Sequence, residues 1–240
     1  MNEHYSCEGN KFLLTLEKAD KFNNWMYSVL KPFLGGNILE VGSGIGTISQ
    51  KIVNDFPNSQ IVLSDIDSRY ISILNNRFNS IDNVKCLKFD LGNIYDLKNI
   101  NQKIDSVLAV NVLEHLEDDV LALNNIYNIL DNKGKFIILI PAHKFLFNCI
   151  DKAIGHHRRY TKKEIVQKIS KTKFKINKVF YFNFFSIFGW YIQGNILKKM
   201  ITEKYKISLF NLLIPIQKFV EKYITRNKIG ISLIVVLEKE

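Results

Sequence analysis

The amino-acid sequence predicts an α/β fold. We expect a doubly wound, mostly parallel seven-stranded sheet with an antiparallel C-terminal edge and a helical cap inserted before the last strand. Short apolar runs alternate with helix-like stretches through residues 1–140. These runs are too continuously apolar to keep one face in water, which is typical of parallel strands covered by helices on both sides. Two further strand-like runs end the chain, and a long aromatic, helix-like stretch separates them.

The predicted elements follow in order along the chain. Residues 11–34 carry apolar residues at helical spacing and end at Pro32 and the Gly35-Gly36 pair, which predicts the first helix. Runs rich in Val, Ile, Leu and Phe predict strands at Ile38–Val41, Gln60–Ser64, Val84–Phe89, Ser106–Val110, Lys135–Ile140, Lys173–Phe182 and Gly230–Lys239. Helices are predicted between the first five strands, at Thr47–Asp55, Ser68–Asn79, Ile94–Asn99 and Asp118–Leu130.

Composition limits the class of protein. The chain has 240 residues, 47% of them hydrophobic, which suits a single domain, residues 1–240, with a sizeable core. The three cysteines form no CxxC pair and no metal-ligand spacing, so we expect reduced thiols in a cytoplasmic protein. The polar N-terminus does not resemble a signal peptide, and no apolar run reaches the length of about 18 residues expected of a membrane span.

The charge is distributed unevenly along the chain. Residues 1–140 contain 13 Lys and Arg against 17 Asp and Glu, a net of −4, whereas residues 141–240 contain 20 against 6, a net of +14. This asymmetry indicates that the C-terminal part faces an anionic substrate, a nucleic acid or a membrane surface. The alternative is a lysine-rich composition that only keeps the protein soluble.

A glycine-rich turn follows the first predicted strand. Gly42, Gly44 and Gly46 come directly after Glu40 in "ILEVGSGIGTIS", where a strand meets a helix. Such glycines let a ligand approach the backbone at the carboxyl edge of a parallel sheet, although a tight structural turn would also use them. Asp65 closes the second strand 21 residues after Gly44, where an acid accepts hydrogen bonds from ribose hydroxyls.

The spacing of the glycines separates the candidate ligands. A dinucleotide site requires G-x-G-x-x-G/A, but Thr47 occupies the third small position, which argues against an NAD(P)-dependent dehydrogenase. The chain has no G-x-x-x-x-G-K-[ST] sequence, so a phosphate cradle of that type is not expected. The pattern therefore favours an adenosine ligand that carries no pyrophosphate.

Four ordered motifs carry a family resemblance. "ILEVGSGIGTIS", "IVLSDID", "LKFDLGN" and "IDSVLAVNVLEHLEDD" occur at the ends of successive strands. Together they resemble class I S-adenosylmethionine-dependent methyltransferases, which have a Rossmann-like sheet, and the resemblance covers residues 11–145. It implies that S-adenosyl-L-methionine is the cofactor and that this region is the cofactor-binding core. The cofactor-binding residues that it implies are Glu40, Gly42, Ser43, Gly44, Gly46, Asp65, Ile66, Asp90, Leu91, Asn111 and His115.

The resemblance assigns different parts of the cofactor to these residues. It places Asp65 on the ribose, Ile66 and Leu91 beside the adenine ring, and Asp90 near the adenine amino group. Three simpler interpretations remain open at this point. Asp65 would be a helix cap, Asp90 a loop acid and His115 a histidine on a helix surface.

The stretch after the fifth strand predicts an acceptor site. The sequence "PAHKFLFNCIDKAIGHHRRY" contains His143, His156, Arg158, Arg159 and Tyr160. Arginines offer bidentate donors to phosphate or carboxylate, and histidines act as general bases near neutral pH. We therefore expect both arginines and Tyr160 to bind the acceptor, and His143, then His156, to act as the base. The alternative is a solvated basic turn before a helix.

This stretch also resembles a subgroup of these methyltransferases that carries GHxRRY after the fifth strand. Its members work beside glycosyltransferases in making surface polysaccharides, lipids or small metabolites. The subgroup's acceptors are diverse, so the resemblance does not name a substrate. With the two arginines and the basic C-terminal half, we expect methyl transfer to an oxygen, and less so to a nitrogen, of a small anionic acceptor. Such an acceptor is a phosphorylated metabolite, a nucleotide-linked sugar or a polysaccharide or lipid precursor. No metal is expected.

The aromatic insertion at residues 184–225 has three interpretations. It is expected first to be a helical cap over the acceptor site, and alternatively a homodimer surface or a contact with a membrane surface. Two rival functions remain open. A nucleic-acid methyltransferase would suit the basic half, but "AVNVLEH" lacks the Asn/Asp-Pro-Pro-aromatic turn and the chain has no Pro-Cys pair, so no nucleic-acid partner is expected. The other rival is a non-catalytic protein that binds an adenosine ligand.

Overall fold

The computed structural model describes residues 13–93, 96, 100, 103–199 and 204–240. Seven strands form one sheet in the order β3-β2-β1-β4-β5-β7-β6. The strands are β1 (Ile38–Val41), β2 (Ile61–Asp65), β3 (Val84–Lys88), β4 (Ile104–Val110), β5 (Leu130–Pro141), β6 (Lys175–Phe182) and β7 (Ser232–Glu238). The first five strands are parallel, and β7 is antiparallel to both β5 and β6. The predicted fold class is confirmed.

Helices connect the strands and cover both faces of the sheet. They are α1 (Asp20–Leu30), α2 (Ser49–Asp55), α3 (Ser68–Phe78), α4 (Asp119–Ile129), α5 (Cys149–Ala153), α6 (Lys162–Ile169), α7 (Ser186–Tyr191) and α8 (Lys204–Val220). Short 3-10 turns lie at Leu113–His115 and Lys144–Leu146, and π-helical turns at Ile192–Ile196 and Glu221–Thr225. One apolar cluster lies on each face of the sheet, because the central strands are buried on both sides.

Most predicted boundaries lie within a few residues of the observed ones. The predicted strand Lys135–Ile140 is longer in the structure, since β5 begins at Leu130 directly after α4. The predicted N-terminal helix is interrupted before α1, where the Asn23 amide donates to the Leu16 carbonyl at 2.8 Å and so takes the place of a helical hydrogen bond. The predicted helix Ile94–Asn99 lies, apart from Asp96, outside the described residues.

The insertion before β7 is helical in its described part and packs against two elements of the core. Phe22 on α1 lies 5.4 Å, between ring centroids, from Phe210 on α8. Near the other end of the insertion, the Glu221 carboxylate accepts the backbone N–H groups of Asn183 and Phe184, at 2.8 Å and 3.1 Å. Glu221 therefore joins the end of the insertion to its beginning. Among the described residues, no helix is both long enough and apolar enough to cross a bilayer.

The glycine turn after β1 is shaped by packing as well as by backbone conformation. Gly46 has φ +88°, and a Cβ atom there would lie 3.1 Å from side-chain atoms of Leu74 and Phe78 on α3. A residue with a side chain is strained at this φ and also crowds α3. The turn and α3 thus fix each other's position beside the end of β2.

We predict that Gly46→Ala lowers the free energy of unfolding by about 1–3 kcal/mol, because it combines left-handed strain with overpacking. Chemical denaturation without cofactor measures this change. Gly35→Ala is the matched control, since a Cβ atom there meets nothing within 4 Å. Equal stability of the two variants would show that the turn tolerates a side chain.

Candidate active site

The predicted cofactor residues lie at the carboxyl ends of β1, β2, β3 and β4, where open α/β sheets bind their ligands. β1 is the central strand of this group because it pairs with β2 on one side and β4 on the other. From β1 the chain continues to β2 and β3 on one side and then to β4 and β5 on the other, so the connections after β1 and β4 run in opposite directions and leave a crevice at the end of β1. The N-terminal segment approaches the same turn, since a Cβ atom on Gly44 would lie 3.5 Å from Leu13.

Asp65 is fixed by the glycine turn. The backbone N–H of Gly44 donates to Oδ2 of Asp65 at 2.9 Å, and that of Asp67 donates to Oδ1 at 3.0 Å. Burial raises the pKa of Asp65, while these two donors act to lower it. The helix-cap alternative does not apply, because Asp67 caps α3 by accepting the N–H of Arg69. Each Asp65 oxygen has a further lone pair with which to accept a ribose hydroxyl.

Glu40 and Ser43 stabilise the turn from inside the protein. Both are buried, and the Glu40 carboxylate accepts the hydroxyl of Ser49 at the start of α2. Burial raises the pKa of Glu40 to about 7, against the lowering effect of this hydrogen bond. The Ser43 hydroxyl accepts the backbone N–H of Ser64 at 3.2 Å and so joins the turn to β2. The glycine turn is therefore attached to both neighbouring elements.

The residues expected around the adenine differ in exposure. Ile66 is 45% exposed directly after β2, which leaves an apolar side chain open at the carboxyl edge. Asp90 is half-buried and accepts the N–H of Gly92 at 2.8 Å. Leu91 is only 3% exposed and belongs to the core, so its side chain does not face the crevice as expected. The physical reason is that Leu91 packs inward while its carbonyl accepts the Asn125 amide at 2.8 Å.

Asn111 marks the end of β4. It is exposed and adopts a left-handed backbone with φ +53°, while its N–H donates to the carbonyl of Leu139 on β5 at 2.8 Å. Asparagine adopts this conformation more readily than most residues. The tight turn sends the chain into the 3-10 turn Leu113–His115.

The structure brings His115 and His156 together and adds Glu114, to which the sequence analysis assigned no role. The two histidine rings lie edge to face with centroids 4.7 Å apart. His156 Nε2 lies 3.6 Å from Oε1 of Glu114, a fully buried carboxylate. Burial raises the pKa of Glu114 to about 7, partly offset by the neighbouring His156. We call these three residues the Glu-His-His group.

Asp151 holds His156 in place. Its Oδ1 accepts from Nδ1 of His156 at 2.9 Å and from Nε of Arg159 at 2.8 Å, and its Oδ2 accepts from the indole of Trp190 at 3.3 Å. Burial alone would raise the pKa of Asp151, but the hydrogen bond from His156 and the charge of Arg159 hold it below its usual range. Asp151 is thus an ionised, fully buried acceptor that orients His156.

The prediction that Arg159 and Tyr160 bind the acceptor is corrected by the structure. Arg159 is 2% exposed, pairs with Asp151 and lies over the Trp190 ring at 4.6 Å. Tyr160 is fully buried, and its hydroxyl donates to Asp119 at 2.9 Å. Both side chains make their polar contacts inside the protein, Arg159 with Asp151 and Tyr160 with Asp119 on α4, so they do not face an acceptor. Arg158 is partly exposed and pairs with the same Asp119 at 3.2 Å.

His143 lies apart from the Glu-His-His group. Its ring stacks on Tyr181 of β6, the outermost strand at the other end of the sheet from β3, with centroids 5.2 Å apart. Burial lowers the pKa of His143, and its Nε2 is buried without a hydrogen-bond partner in the part of the chain that the structure describes. Of the two histidines predicted as bases, the geometry therefore favours His156, because His156 lies beside Glu114 and His115 whereas His143 does not.

Comparison with known proteins agrees with this geometry. Residues 39–136 match a family model described as a methyltransferase domain, and they include the glycine turn, Asp65 and Glu114. The match covers less than half of the chain. The expected enzyme class and the expected cofactor, S-adenosylmethionine, are thereby confirmed for this domain.

The relatives of this methyltransferase domain are distant. The chain is 27% identical over 164 residues to malonyl-[acyl-carrier protein] O-methyltransferase 1 of Ilyobacter polytropus, an alignment that covers 66% of this chain and 59% of the relative. It is 31% identical over 103 residues to demethylmenaquinone methyltransferase of Chlamydia caviae, which covers 42% and 43%. The chain thus spans less than two thirds of the length of these curated relatives.

Solved methyltransferases share the fold. Phosphoethanolamine N-methyltransferase 2 of Haemonchus contortus, solved with S-adenosyl-L-methionine, superposes with a TM-score of 0.59 at 18% identity, over 90% of this chain and 52% of that one. Geranyl diphosphate C-methyltransferase of Streptomyces coelicolor gives a TM-score of 0.60 at 10% identity, over 90% and 76%. These similarities concern the fold alone.

We predict that Asp65→Asn weakens binding of S-adenosylhomocysteine by about 1.5–3 kcal/mol, roughly tenfold or more, because the ribose hydroxyls lose a charged acceptor. Titration calorimetry measures this affinity. Asp67→Asn is the matched control, since asparagine caps a helix as well as aspartate does. Unchanged affinity in Asp65→Asn would remove Asp65 from the cofactor site.

A second prediction tests the corrected role of Arg159. Arg159→Ala leaves the buried Asp151 carboxylate without its charged partner, which costs about 3–5 kcal/mol of unfolding free energy. Arg158→Ala breaks a partly exposed pair and should cost about 1 kcal/mol or less. Denaturant titration compares the two variants. A larger loss in Arg158→Ala than in Arg159→Ala would contradict the assignment of Arg159 to the scaffold.

Proposed function

We propose that the protein transfers the methyl group of S-adenosylmethionine to a hydroxyl oxygen of an anionic acceptor carried by a lipid. The observation that carries this proposal is the Glu-His-His group, whose residues follow β4 and β5 at the same sheet edge as the glycine turn. An amine needs only to arrive unprotonated, whereas a hydroxyl must lose its proton. A buried carboxylate beside an oriented imidazole is suited to that task.

In the proposed reaction the protein mainly positions the cofactor and the acceptor relative to each other. The bound sulfonium supplies an activated methyl group. The Asp65 carboxylate and the glycine turn would hold the adenosine, so that the methyl group faces the chain after β4. The acceptor oxygen forms the new C–O bond as the C–S bond breaks, the electron pair stays on sulfur, and the proton passes to Nε2 of His156. His156 is the catalytic residue that we retain from the two histidines expected.

Contacts between the insertion and the loop after β5 support a role for the insertion as a cap on this site. The Trp190 indole donates to Asp151, and the amide of Asn148 donates to the side-chain oxygen of Asn195 at 2.9 Å. A Cβ atom on Gly194 would lie 2.2 Å from the Asn148 side chain, so the two segments are in close contact. The insertion therefore covers the loop that carries His156.

The outer surface of the insertion supports a lipid-borne acceptor. Large apolar side chains there are 45–67% exposed, namely Phe188, Tyr191, Ile192, Ile196, Leu197, Leu212, Ile216, Phe219, Tyr223 and Ile224. A concentration of exposed large apolar residues in one segment is typical of an interaction surface. Residues 184–228 contain eight Lys and Arg against two acids, a net of +6, and one of those acids, Glu221, is buried. Apolar residues flanked by lysines are typical of helices that lie on anionic membranes.

The acceptor class is tested by measuring release of S-adenosylhomocysteine with phosphorylated lipid-linked sugars and with their water-soluble counterparts. We expect turnover with the lipid-linked compounds in vesicles of phosphatidylglycerol and phosphatidylcholine, and loss of at least a hundredfold in His156→Gln with unchanged cofactor affinity. Turnover of an amine at an equal rate, undiminished in His156→Gln, would contradict oxygen transfer.

Membrane contact is tested with the same vesicles by flotation. Lys218→Glu combined with Lys222→Glu should weaken binding to anionic vesicles at least tenfold, because each lysine contributes about 1 kcal/mol near such a surface. Lys103→Glu is the control, since its side chain is 81% exposed before the amino end of β4. Equal flotation on pure phosphatidylcholine, or a dimer in ultracentrifugation that Phe219→Ser dissociates, would assign this surface to a different contact.

A further inference from the structure

We propose that the Glu-His-His group binds a divalent transition-metal ion. One carboxylate oxygen of Glu114 and one ring nitrogen each of His115 and His156 lie within 4.8 Å of one another. Zinc bonds to nitrogen and to carboxylate oxygen are about 2.0–2.2 Å long, so the ligand atoms of a tetrahedral site lie about 3.4 Å apart. Small rotations of the side chains are enough to bring the three ligand atoms to such an ion.

Both imidazoles are held in the tautomer that a metal requires. His115 Nδ1 lies 3.0 Å from the carbonyl oxygen of Gly155, which can only accept, so Nδ1 carries the hydrogen and Nε2 keeps its lone pair. His156 Nδ1 lies 2.9 Å from Oδ1 of the ionised Asp151, which fixes the same tautomer. Metal-bound histidines almost always donate their second N–H to a carbonyl or a carboxylate in this way.

The Glu114 carboxylate supplies an independent observation. It is fully buried, and neither of its oxygens has a hydrogen-bond partner within the described part of the chain. Buried polar groups are nearly always paired, so a carboxylate with two unpaired oxygens requires a specific explanation. One oxygen lies 3.6 Å from Nε2 of His156, the nitrogen that carries the lone pair. A cation between these atoms removes the repulsion between carboxylate and lone pair and satisfies both.

The donor set indicates the class of ion. Two imidazoles and one carboxylate suit zinc, iron, cobalt or nickel, whereas magnesium and calcium prefer oxygen ligands. Three protein ligands leave at least one position open for a further oxygen. In the proposed reaction the hydroxyl oxygen of the methyl acceptor binds at this open position. With the metal bound, His156 acts as a ligand instead of a base. Coordination then lowers the pKa of the hydroxyl, its proton passes to solvent, and its oxygen remains the nucleophile. This last step rests on the proposed function, but the metal binding does not.

The inference is tested by stripping the full-length protein with EDTA, removing the chelator and titrating with Co²⁺, followed by competition with Zn²⁺. We expect one equivalent per chain by elemental analysis, visible absorption bands of a low-symmetry Co²⁺ site, and a melting temperature that rises with Zn²⁺. His115→Gln, His156→Gln and Glu114→Gln should each weaken Co²⁺ affinity at least tenfold. His157→Gln is the matched control, since it changes the neighbouring exposed histidine.

The outcomes separate this inference from the proposed function. Circular dichroism in EDTA identifies any variant that fails to fold, and Glu114→Gln, which keeps the side-chain size, gives a second variant at the same group. Binding of Co²⁺ that is equal in His157→Gln and the three ligand variants overturns the metal site. Methyl transfer that is unchanged by EDTA, together with no bound metal, also overturns it but leaves the proposed function intact. Metal binding without methyl transfer supports the site and contradicts the function.

Discussion

The carboxylate of Asp151 is the contact on which the candidate site depends. It is fully buried and accepts hydrogen bonds from His156, Arg159 and Trp190, which belong to the loop after β5 and to the insertion before β7. An ionised carboxylate in the interior is stable only when it is paired and hydrogen-bonded. One side chain thus fixes the tautomer of the histidine, the position of the loop and the place where the insertion meets the core.

The contact between the glycine turn and Asp65 was predictable because it is encoded locally. A strand, a glycine turn and an acid at the end of the next strand have fixed sequence spacing, and parallel pairing of β1 with β2 brings Gly44 and Asp65 together. Leu91 is the exception. Its position next to Asp90 was correct in sequence, but only packing against the core decides which way a side chain after β3 turns.

The acceptor half was less predictable because it is set by contacts between distant segments. The sequence "GHHRRY" is compatible with a basic surface that binds the acceptor and with side chains buried inside the protein. Which of the two applies depends on the partners that the fold supplies: Asp119 for Tyr160, and Asp151 with Trp190 for Arg159. Glu114 is one of four acids within residues 114–119, so no sequence pattern distinguishes it from Glu117 and Asp118, which are exposed. Its burial follows from the return of the loop after β5 over the 3-10 turn.

The most direct test of this account is a crystal structure of the protein with S-adenosylhomocysteine. The account predicts ribose hydroxyls on the Asp65 carboxylate, the nucleoside along the glycine turn, and the sulfur facing the chain between Glu114 and His156. That position would place the transferred methyl group next to the Glu-His-His group. A nucleoside bound away from Asp65, or a sulfur that faces His143 and β6 instead, would contradict it.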